Sequence, residues 1–375
     1  MANLKVNTVS GIGTEGTVFD GGLKFRSKNY LTLPKGTTTE RTATSSGIST
    51  ETGSIRYNTD SNKMECYIGD KWMIVATSSP TLDGGARGLH MGGANGVNNV
   101  EFVTIPTAGN AIDFGDLITA RYLNGGCSSR IRALTFGGNT PSVLNSIEFH
   151  IFSSTGDFSD FGDMVSSKRN LHGGGNQTRG LMCGGLTDPS YKDEIDFVTI
   201  ASAGDALDFG NLTVARLDAE TASNGSRMVI YAGSAPTANN VMDFVTIAST
   251  GNAQDFGDVS GGLQNGRAAS GDSSTRGVFM GGRYSPSPSQ TSDIQLITIA
   301  SKGNSVKFGD LATAKKFPTG TSSKTRALCI GGATPSALNT IEYVTIATEG
   351  NAVDFGDLLT ARYSGAAASN DHGGL

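Results

Sequence analysis

Carboxylates are the side chains of this sequence best suited to chemistry, because they can bind metal ions or act as general acids and bases. They flank a phenylalanine and a glycine in the motif Asp-Phe-Gly-Asp, which occurs six times with small variations. Its phenylalanines are Phe114, Phe161, Phe209, Phe256, Phe308 and Phe355. Their spacing of 47, 48, 47, 52 and 47 residues indicates a structural repeat. Since a site rarely needs six equal copies, we expect these acids to cap turns or face solvent, with metal binding as the alternative.

A second repeated charge is an arginine that opens a short apolar strand ending in Gly-Gly. The six arginines are Arg87, Arg132, Arg179, Arg227, Arg276 and Arg326. A carboxylate stands on the following strand of every repeat except the fifth, which has Gln295. We expect an arginine–carboxylate pair to bridge these strands within each repeat, and the phenylalanines to pack between repeats. The alternative is a ring of arginines that lines a binding surface.

The elements that must position these residues are four short strands per repeat, joined by turns rich in Gly, Asn and Asp. Four strands in about 47 residues are typical of a β-propeller blade. The first repeat lacks a small-residue strand, and segment 361–369 after the sixth repeat supplies a spare one. We therefore predict an all-β, six-bladed propeller over residues 79–375, closed by its C-terminal strand. The small residues expected near its axis include Gly125, Gly126, Gly173, Gly174 and Ala366–Ala368.

The repeats resemble kelch repeats over about residues 83–375. The resemblance lies in an apolar strand ending in Gly-Gly, an acidic residue before an aromatic one, an aromatic strand, and a small-residue strand after an arginine. Kelch repeats usually carry tryptophan in the aromatic strand, whereas this chain has phenylalanine there and its one tryptophan, Trp72, lies outside the repeats. The resemblance therefore implies the propeller architecture and no particular kelch function.

Composition limits the partners and the chemistry. The net charge is -5 with no basic block, so we expect no nucleic-acid partner. The sequence has neither the apolar run of a membrane span nor a secretory signal, so we expect no membrane insertion. We expect Cys66, Cys127, Cys183 and Cys329, which form no CxxC pair, to be free buried thiols in a reducing cytosol. The four histidines share no metal-ligand spacing, and we predict no cofactor, no metal and no catalytic residue.

Repeats four and five depart most from the pattern. The 52-residue interval contains an altered ending at 259–264, an insertion near 266–275 and a longer loop at 283–292. Loops that depart from a regular scaffold often carry binding sites. We name Arg283, Tyr284, Ser285, Ser287 and Gln290 as candidate ligand-binding residues. A neutral variation in loop length is the alternative.

The N-terminal residues do not share the repeat. We divide them into an extended arm, 1–20, and a small β-rich attachment domain, 21–78, with a hairpin predicted over 54–75. Three pieces follow one another: Leu-Pro-Lys-Gly-Thr-Thr-Thr-Glu-Arg at 33–41, Gly-Ser-Ile-Arg-Tyr-Asn-Thr at 53–59, and Gly-Asp-Lys-Trp at 69–72. This order resembles a module of tail fibres and other virion proteins of tailed bacteriophages. The resemblance implies attachment to a virus particle, and the alternative is a small β-domain that docks on the propeller.

Together these features favour a phage virion structural protein, a fibre or appendage assembled in the host cytoplasm, whose propeller is a binding head. The partners expected are other virion proteins through residues 1–78, further copies of the chain (a trimer if it is a fibre), and a host-surface glycan or protein. The alternatives are a capsid or neck decoration protein without a receptor role, a cellular kelch-type adaptor, and a glycan-active propeller enzyme. The single tryptophan and the scattered histidines disfavour the enzyme, because sialidase-like boxes need repeated tryptophans and copper oxidases need clustered histidines.

Overall fold

The computed structural model describes residues 33–42, 52–61, 63–75, 86–94, 96–235, 239–260, 264–284 and 290–375. The chain divides into two compact units, Met1–Pro80 and Thr81–Leu375. Both are built from β-strands, so the all-β prediction is confirmed.

The first unit contains a small mixed sheet of four strands. They are β1 (Lys35–Gly36), β2 (Ile55–Asn58), β3 (Lys63–Ile68) and β4 (Lys71–Ile74), in that order across the sheet. β1 pairs parallel with β2, whereas β3 and β4 extend the sheet in antiparallel fashion. The predicted hairpin is present as β2–β4. Strand β1 and the 3-10 helix Thr39–Thr42 were not predicted, because each is too short to show a period.

The second unit consists of six four-stranded antiparallel sheets, numbered 1 to 6 along the chain. Sheet 1 contains β5 (Arg87–Met91), β6 (Asn99–Thr104) and β7 (Ile112–Asp116), and sheet 2 contains β8 (Gly125–Ser128), β9 (Arg132–Phe136), β10 (Ser146–Ile151) and β11 (Ser159–Asp163). Sheet 3 contains β12 (His172–Gly175), β13 (Arg179–Cys183), β16 (Glu194–Thr199) and β17 (Leu207–Asn211), with β14 (Leu186–Thr187) and β15 (Ser190–Tyr191) between β13 and β16. Sheet 4 contains β18 (Glu220–Ser223), β19 (Arg227–Tyr231), β20 (Val241–Thr246) and β21 (Gln254–Asp258). Sheet 5 contains β23 (Ala269–Asp272), β24 (Arg276–Met280), β26 (Thr291–Thr298) and β27 (Val306–Lys315), with β22 (Gln264–Gly266) before β23 and β25 (Arg283–Tyr284) between β24 and β26. Sheet 6 contains β28 (Thr319–Ser322), β29 (Arg326–Ile330), β30 (Thr340–Thr345) and β31 (Val353–Asp357). The pairs β14–β15 and β22–β25 form separate two-stranded ribbons.

The last strand, β32 (Ala366–Ser369), closes the unit. It pairs antiparallel with β5, with Ala366 opposite Met91, and so becomes the fourth strand of sheet 1. The predicted closure by the C-terminal strand is confirmed. The innermost strands of the six sheets are β32, β8, β12, β18, β23 and β28, and each contacts the innermost strand of the next sheet around a complete circle. The second unit is therefore a closed, β-propeller-like ring.

The Phe-Gly motif forms the joint between neighbouring sheets. The Phe114 ring is buried beside Ala133 and Phe152 of sheet 2. The Phe114 carbonyl oxygen accepts a hydrogen bond from the N–H of Gly156 in sheet 2, at 2.7 Å. Gly115 has φ of 142°, and a Cβ there would lie 2.2 Å from the Gly156 carbonyl oxygen, so only glycine fits this close approach. Equivalent bonds end at Phe161, Phe209, Phe256, Phe308 and Phe355, and the last of them joins sheet 6 to sheet 1.

The repeated arginines form a second joint, and their expected pairing with carboxylates of the same repeat is wrong. Arg132 instead donates from Nη1 to the Ile200 carbonyl oxygen of the next sheet, at 3.0 Å. Its guanidinium lies 4.9 Å from the Phe149 ring centre. Arg87, Arg179, Arg227, Arg276 and Arg326 donate to the matching carbonyl of the next sheet in the same way. A guanidinium suits this position because it can stack on a ring and bond a carbonyl at once.

The repeated carboxylates pair with a different base, which lies at the end of the outermost strand of the preceding sheet or in the segment that follows it. Glu148 pairs with Arg121, and both side chains are buried. The same pairs are Glu101 with Arg362, Asp196 with Lys168, Asp243 with Arg216, and Glu342 with Lys315. Sheet 5 lacks the carboxylate, and its Gln295 accepts a hydrogen bond from Ser305 Oγ at 3.0 Å. Each buried charge thus has its partner in the neighbouring sheet, which a single repeat cannot reveal.

Three of the four cysteines lie in the sheet cores. Cys127, Cys183 and Cys329 are buried and free, and burial raises the pKa of each thiol to about 12. Their thiols are therefore poor nucleophiles at neutral pH. Cys66 is also free but only half-buried, so the expectation that all four thiols are buried is wrong for this one.

Candidate functional site

One residue per sheet surrounds the axis at the end where the innermost strands begin. Each lies five positions before the last residue of its innermost strand: Leu123, Asn170, Asp218, Arg267, Phe317 and Ser364. All except Arg267 have a left-handed backbone, with φ between 54° and 58°. The N–H groups of Leu123, Asn170, Asp218 and Ser364 each donate to the carbonyl oxygen of the preceding member, at 2.8–3.0 Å. We call these six residues the axial ring.

At the axial ring, the repeats share a backbone conformation but differ in their side chains. Left-handed φ is uncommon for residues other than glycine and especially for a bulky one such as Phe317. Such conformations persist only where the surrounding structure holds them, and they cluster at functional sites. Because the side chains at equivalent positions differ, the scaffold does not dictate them.

Arg267 interrupts the axial ring. Fourteen positions separate Asp258 from Asp272, against twelve from Asp116 to Ser128, and Arg267 lies in this longer segment. Among the described residues, the backbone hydrogen bonds of the axial ring do not continue through it. Its fully buried side chain crosses the axis instead, and the polar atoms it donates to are His172 Nε2 at 2.8 Å and the carbonyl oxygens of Gly365, Asn124 and Leu171 at 3.0, 3.1 and 3.4 Å. One side chain therefore links sheet 5 to sheets 1, 2 and 3.

His172 is held in a single tautomer by its two partners. Its Nε2 accepts from Arg267, so the proton lies on Nδ1, which is 2.9 Å from Oε1 of Glu220. The other Glu220 oxygen accepts a hydrogen bond from Ser270 Oγ at 3.0 Å. Burial, with Arg267 as a second cause, lowers the pKa of His172, while Glu220 and Asp218 act in the opposite direction. The imidazole is therefore neutral at neutral pH.

Two cavities lie along the axis of the ring. The first has a cavity volume of about 40 Å³ and is next to Arg267. The second has a cavity volume of about 60 Å³ and is next to the C-terminal residues. There His372 Nε2 lies 3.2 Å from the Ser128 carbonyl oxygen, and the Gly373 N–H donates to Asp272 at 2.8 Å. Arg267 thus crosses the axial channel at one end and the C-terminal residues cross it at the other.

A partly exposed cluster lies at the junction of sheets 5 and 6. The Arg283 guanidinium carbon is 5.6 Å from the centre of the Phe317 ring, and the Phe317 and Tyr363 rings stack at 6.4 Å with planes 29° apart. Gln290 Nε2 donates to Thr334 Oγ1. All five side chains are half-buried. We call these five residues the rim cluster, and Phe317 belongs both to it and to the axial ring.

The structure places the candidate ligand-binding residues of the loop 283–292 differently. Arg283 and Gln290 belong to the rim cluster, whereas Ser285 and Ser287 lie outside the described residues. Tyr284 is described only by its backbone, which pairs with Gln264 in the ribbon β22–β25. Sequence reasoning missed Arg267, His172, Phe317 and Tyr363. The sequence signal that could have pointed to Arg267 is the two extra residues before β23. They make this segment longer than the segments that precede the innermost strands of the other five sheets.

Within the described ranges, no group of three or more His, Cys, Asp or Glu residues is placed to hold a metal ion. No helix in the described part of the chain is long and apolar enough to cross a membrane. A scan against protein-family models and a search of curated proteins gave no match to this chain.

Proposed function

We propose that the chain is a structural protein of a bacteriophage virion, a fibre or appendage whose ring is a six-bladed, kelch-like β-propeller displayed as a binding head. Residues 1–78 attach it to other virion proteins and to further copies of the chain. It assembles in the host cytoplasm and functions in the particle. The order of motifs at 33–41, 53–59 and 69–72 supports the attachment role, and the ring of six four-stranded sheets supports the head.

A single observation carries the binding role. The repeated arginines and carboxylates are used in joints between sheets, as in the bond from Arg132 to the Ile200 carbonyl and the ion pair of Glu148 with Arg121. The junction of sheets 5 and 6 keeps these joints, as in Arg276 with Ile346 and Lys315 with Glu342, and carries the rim cluster in addition. A recognition surface on a repeat protein must differ from the repeat, and this sector does so in both length and chemistry.

The chemistry of the rim cluster favours a host-surface glycan or protein as ligand. Partly exposed aromatic rings such as Phe317 and Tyr363 offer flat apolar faces for a sugar ring or a side chain. The Arg283 guanidinium suits a carboxylate, because it presents paired N–H donors. The proposal includes no catalytic residue, since the repeated carboxylates are held in buried ion pairs.

Binding of the purified protein to host cells and to a glycan array tests this proposal. We expect Phe317→Ala and Arg283→Ala each to weaken binding at least about tenfold, because each removes part of a small contact surface. Leu207→Ser is the matched control, since Leu207 is 62% exposed on an outermost strand away from the rim cluster. Equal binding by all variants would overturn the assignment of the rim cluster. Failure of the wild-type protein to bind any host surface would favour a decoration protein without a receptor role.

A further inference from the structure

We propose that the Arg267 side chain, which crosses the axial channel, is held there at neutral pH by neutral His172 and is released by acid. We call this side chain the bolt. The side chain donates to groups that precede or begin the innermost strands of sheets 1, 2 and 3. It does so at the one axial-ring position where the chain of backbone hydrogen bonds stops. The contact is independent of the proposed virion role.

The bolt depends on one lone pair. Three of the four acceptors of Arg267 are backbone carbonyls, which accept at any pH, whereas the fourth is Nε2 of His172. A proton taken from solvent by Nε2 places an N–H against the Nε–H of Arg267, which is 2.8 Å away. The acceptor becomes a donor, and two cations then face each other in a buried site.

The other charged groups near His172 decide which partner leaves. Glu220 accepts from Nδ1 and continues to do so when His172 is protonated, because a carboxylate pairs more strongly with an imidazolium. Asp218 lies 3.9 Å from Arg267 and attracts both cations. His172 therefore stays with Glu220, and Arg267 loses its place.

Burial sets the pH range of the release. His172 is 8% exposed, and its lowered pKa keeps it neutral until the pH falls below the ordinary histidine range. Release of Arg267 exposes the first axial cavity, which is lined by Glu220, Ser270 and Thr319 among other residues. Acid thus opens this end of the channel, and neutral pH closes it.

Nitrogen-15 NMR of the full-length wild-type protein tests the bolt without a variant. We expect the Arg267 Nε–H signal to be slow to exchange with water at neutral pH and to move to the chemical shift of a solvent-exposed arginine over the pH range in which the His172 ring nitrogens titrate. An Arg267 signal that keeps its neutral-pH chemical shift after His172 has become protonated would overturn the proposal.

Two variants sharpen the test. His172→Gln keeps an amide that can accept from Arg267 but cannot gain a proton, so we expect the Arg267 signal to keep its chemical shift at the acidic pH at which it moves in the wild type. His150→Gln, a matched change at a histidine in sheet 2 away from Arg267, should behave as the wild type. A move of the signal at the same pH in His172→Gln would contradict the role of His172.

Discussion

At the scale of single residues, buried ion pairs between neighbouring sheets are the recurring contact of the ring. Wherever a sheet carries the repeated carboxylate (Glu101, Glu148, Asp196, Asp243 or Glu342), an arginine or lysine from the preceding sheet pairs with it. Sheet 5 has Gln295 in that place, and its partner is a serine hydroxyl. Loss of the acid avoids an uncompensated buried charge, which would be costly.

Gln295→Glu tests this reading of sheet 5. The new carboxylate would be buried without a cation, so we expect the free energy of unfolding to fall by about 3 kcal/mol at pH 8, measured by urea denaturation. The loss should shrink as the pH falls and the carboxyl becomes protonated. Gln254→Glu, the same change at an exposed position of β21, is the control and should have little effect. Equal effects at both positions would show that burial without a partner is not the cause.

The pH dependence of stability is a second prediction at this scale. Burial lowers the pKa of folded His172, whereas an unfolded histidine titrates near about 6.5. Below that pH the unfolded chain binds more protons than the folded one, so the contribution of His172 to stability is present above about pH 6.5 and is lost as the pH falls. We expect His172→Gln to flatten the fall in denaturation midpoint between about pH 7 and pH 5. An unchanged slope would contradict the prediction.

The sequence predicts which residue types recur in the ring better than it predicts which residues they contact. The phenylalanines, the arginines and the carboxylates all stand out by their period. Their contacts could not be derived, because each joint is made between sheets and spacing within a repeat does not show how two repeats meet. Arg132 illustrates this, since it bonds Ile200 of the next sheet and not Glu148. His172 and Arg267 carry no period at all, and only their positions at the axis bring them together.

At the scale of elements, the turn before each outermost strand is as important as the strand itself. The turn glycine donates to the Phe carbonyl of the preceding sheet, and the Asn or Asp after it accepts from the backbone, as Asn110 does from Asp357 at 3.1 Å. These bonds cover the outer strand edges, which would otherwise be open to pairing with another chain. The Gly-Asn turn was readable from the sequence as a turn, but its bond to a neighbour was not.

Gly115→Ala tests the joint between sheets 1 and 2. The added Cβ would lie 2.2 Å from a backbone oxygen at φ of 142°, so we expect a loss of about 2 kcal/mol or more in the free energy of unfolding. Gly225→Ala is the matched control, because no atom lies within 4 Å of a Cβ placed there. A Gly115→Ala protein as stable as the control would mean that sheets 1 and 2 meet differently.

At the scale of the whole molecule, closure depends on the last strand. Truncation after Thr360 removes β32 and Arg362, which leaves β5 with an open edge and Glu101 without its cation. We expect the melting temperature to fall by more than about 10 °C, or the protein to aggregate. Deletion of residues 1–78 is the control and should leave the ring folded, because the two units are separately compact. A truncated chain that melts like the full one would contradict the closed ring.

The central claim, that the chain is a virion component with an outward-facing ring, is tested most directly by cryo-electron microscopy of purified particles. The particles should be purified from cells that carry the gene for this chain. Our account predicts a six-sheet ring projecting from the particle surface, with residues 1–78 on the particle side and the rim cluster accessible. Particles that lack the protein, or that bury the ring in the shell, would contradict the account.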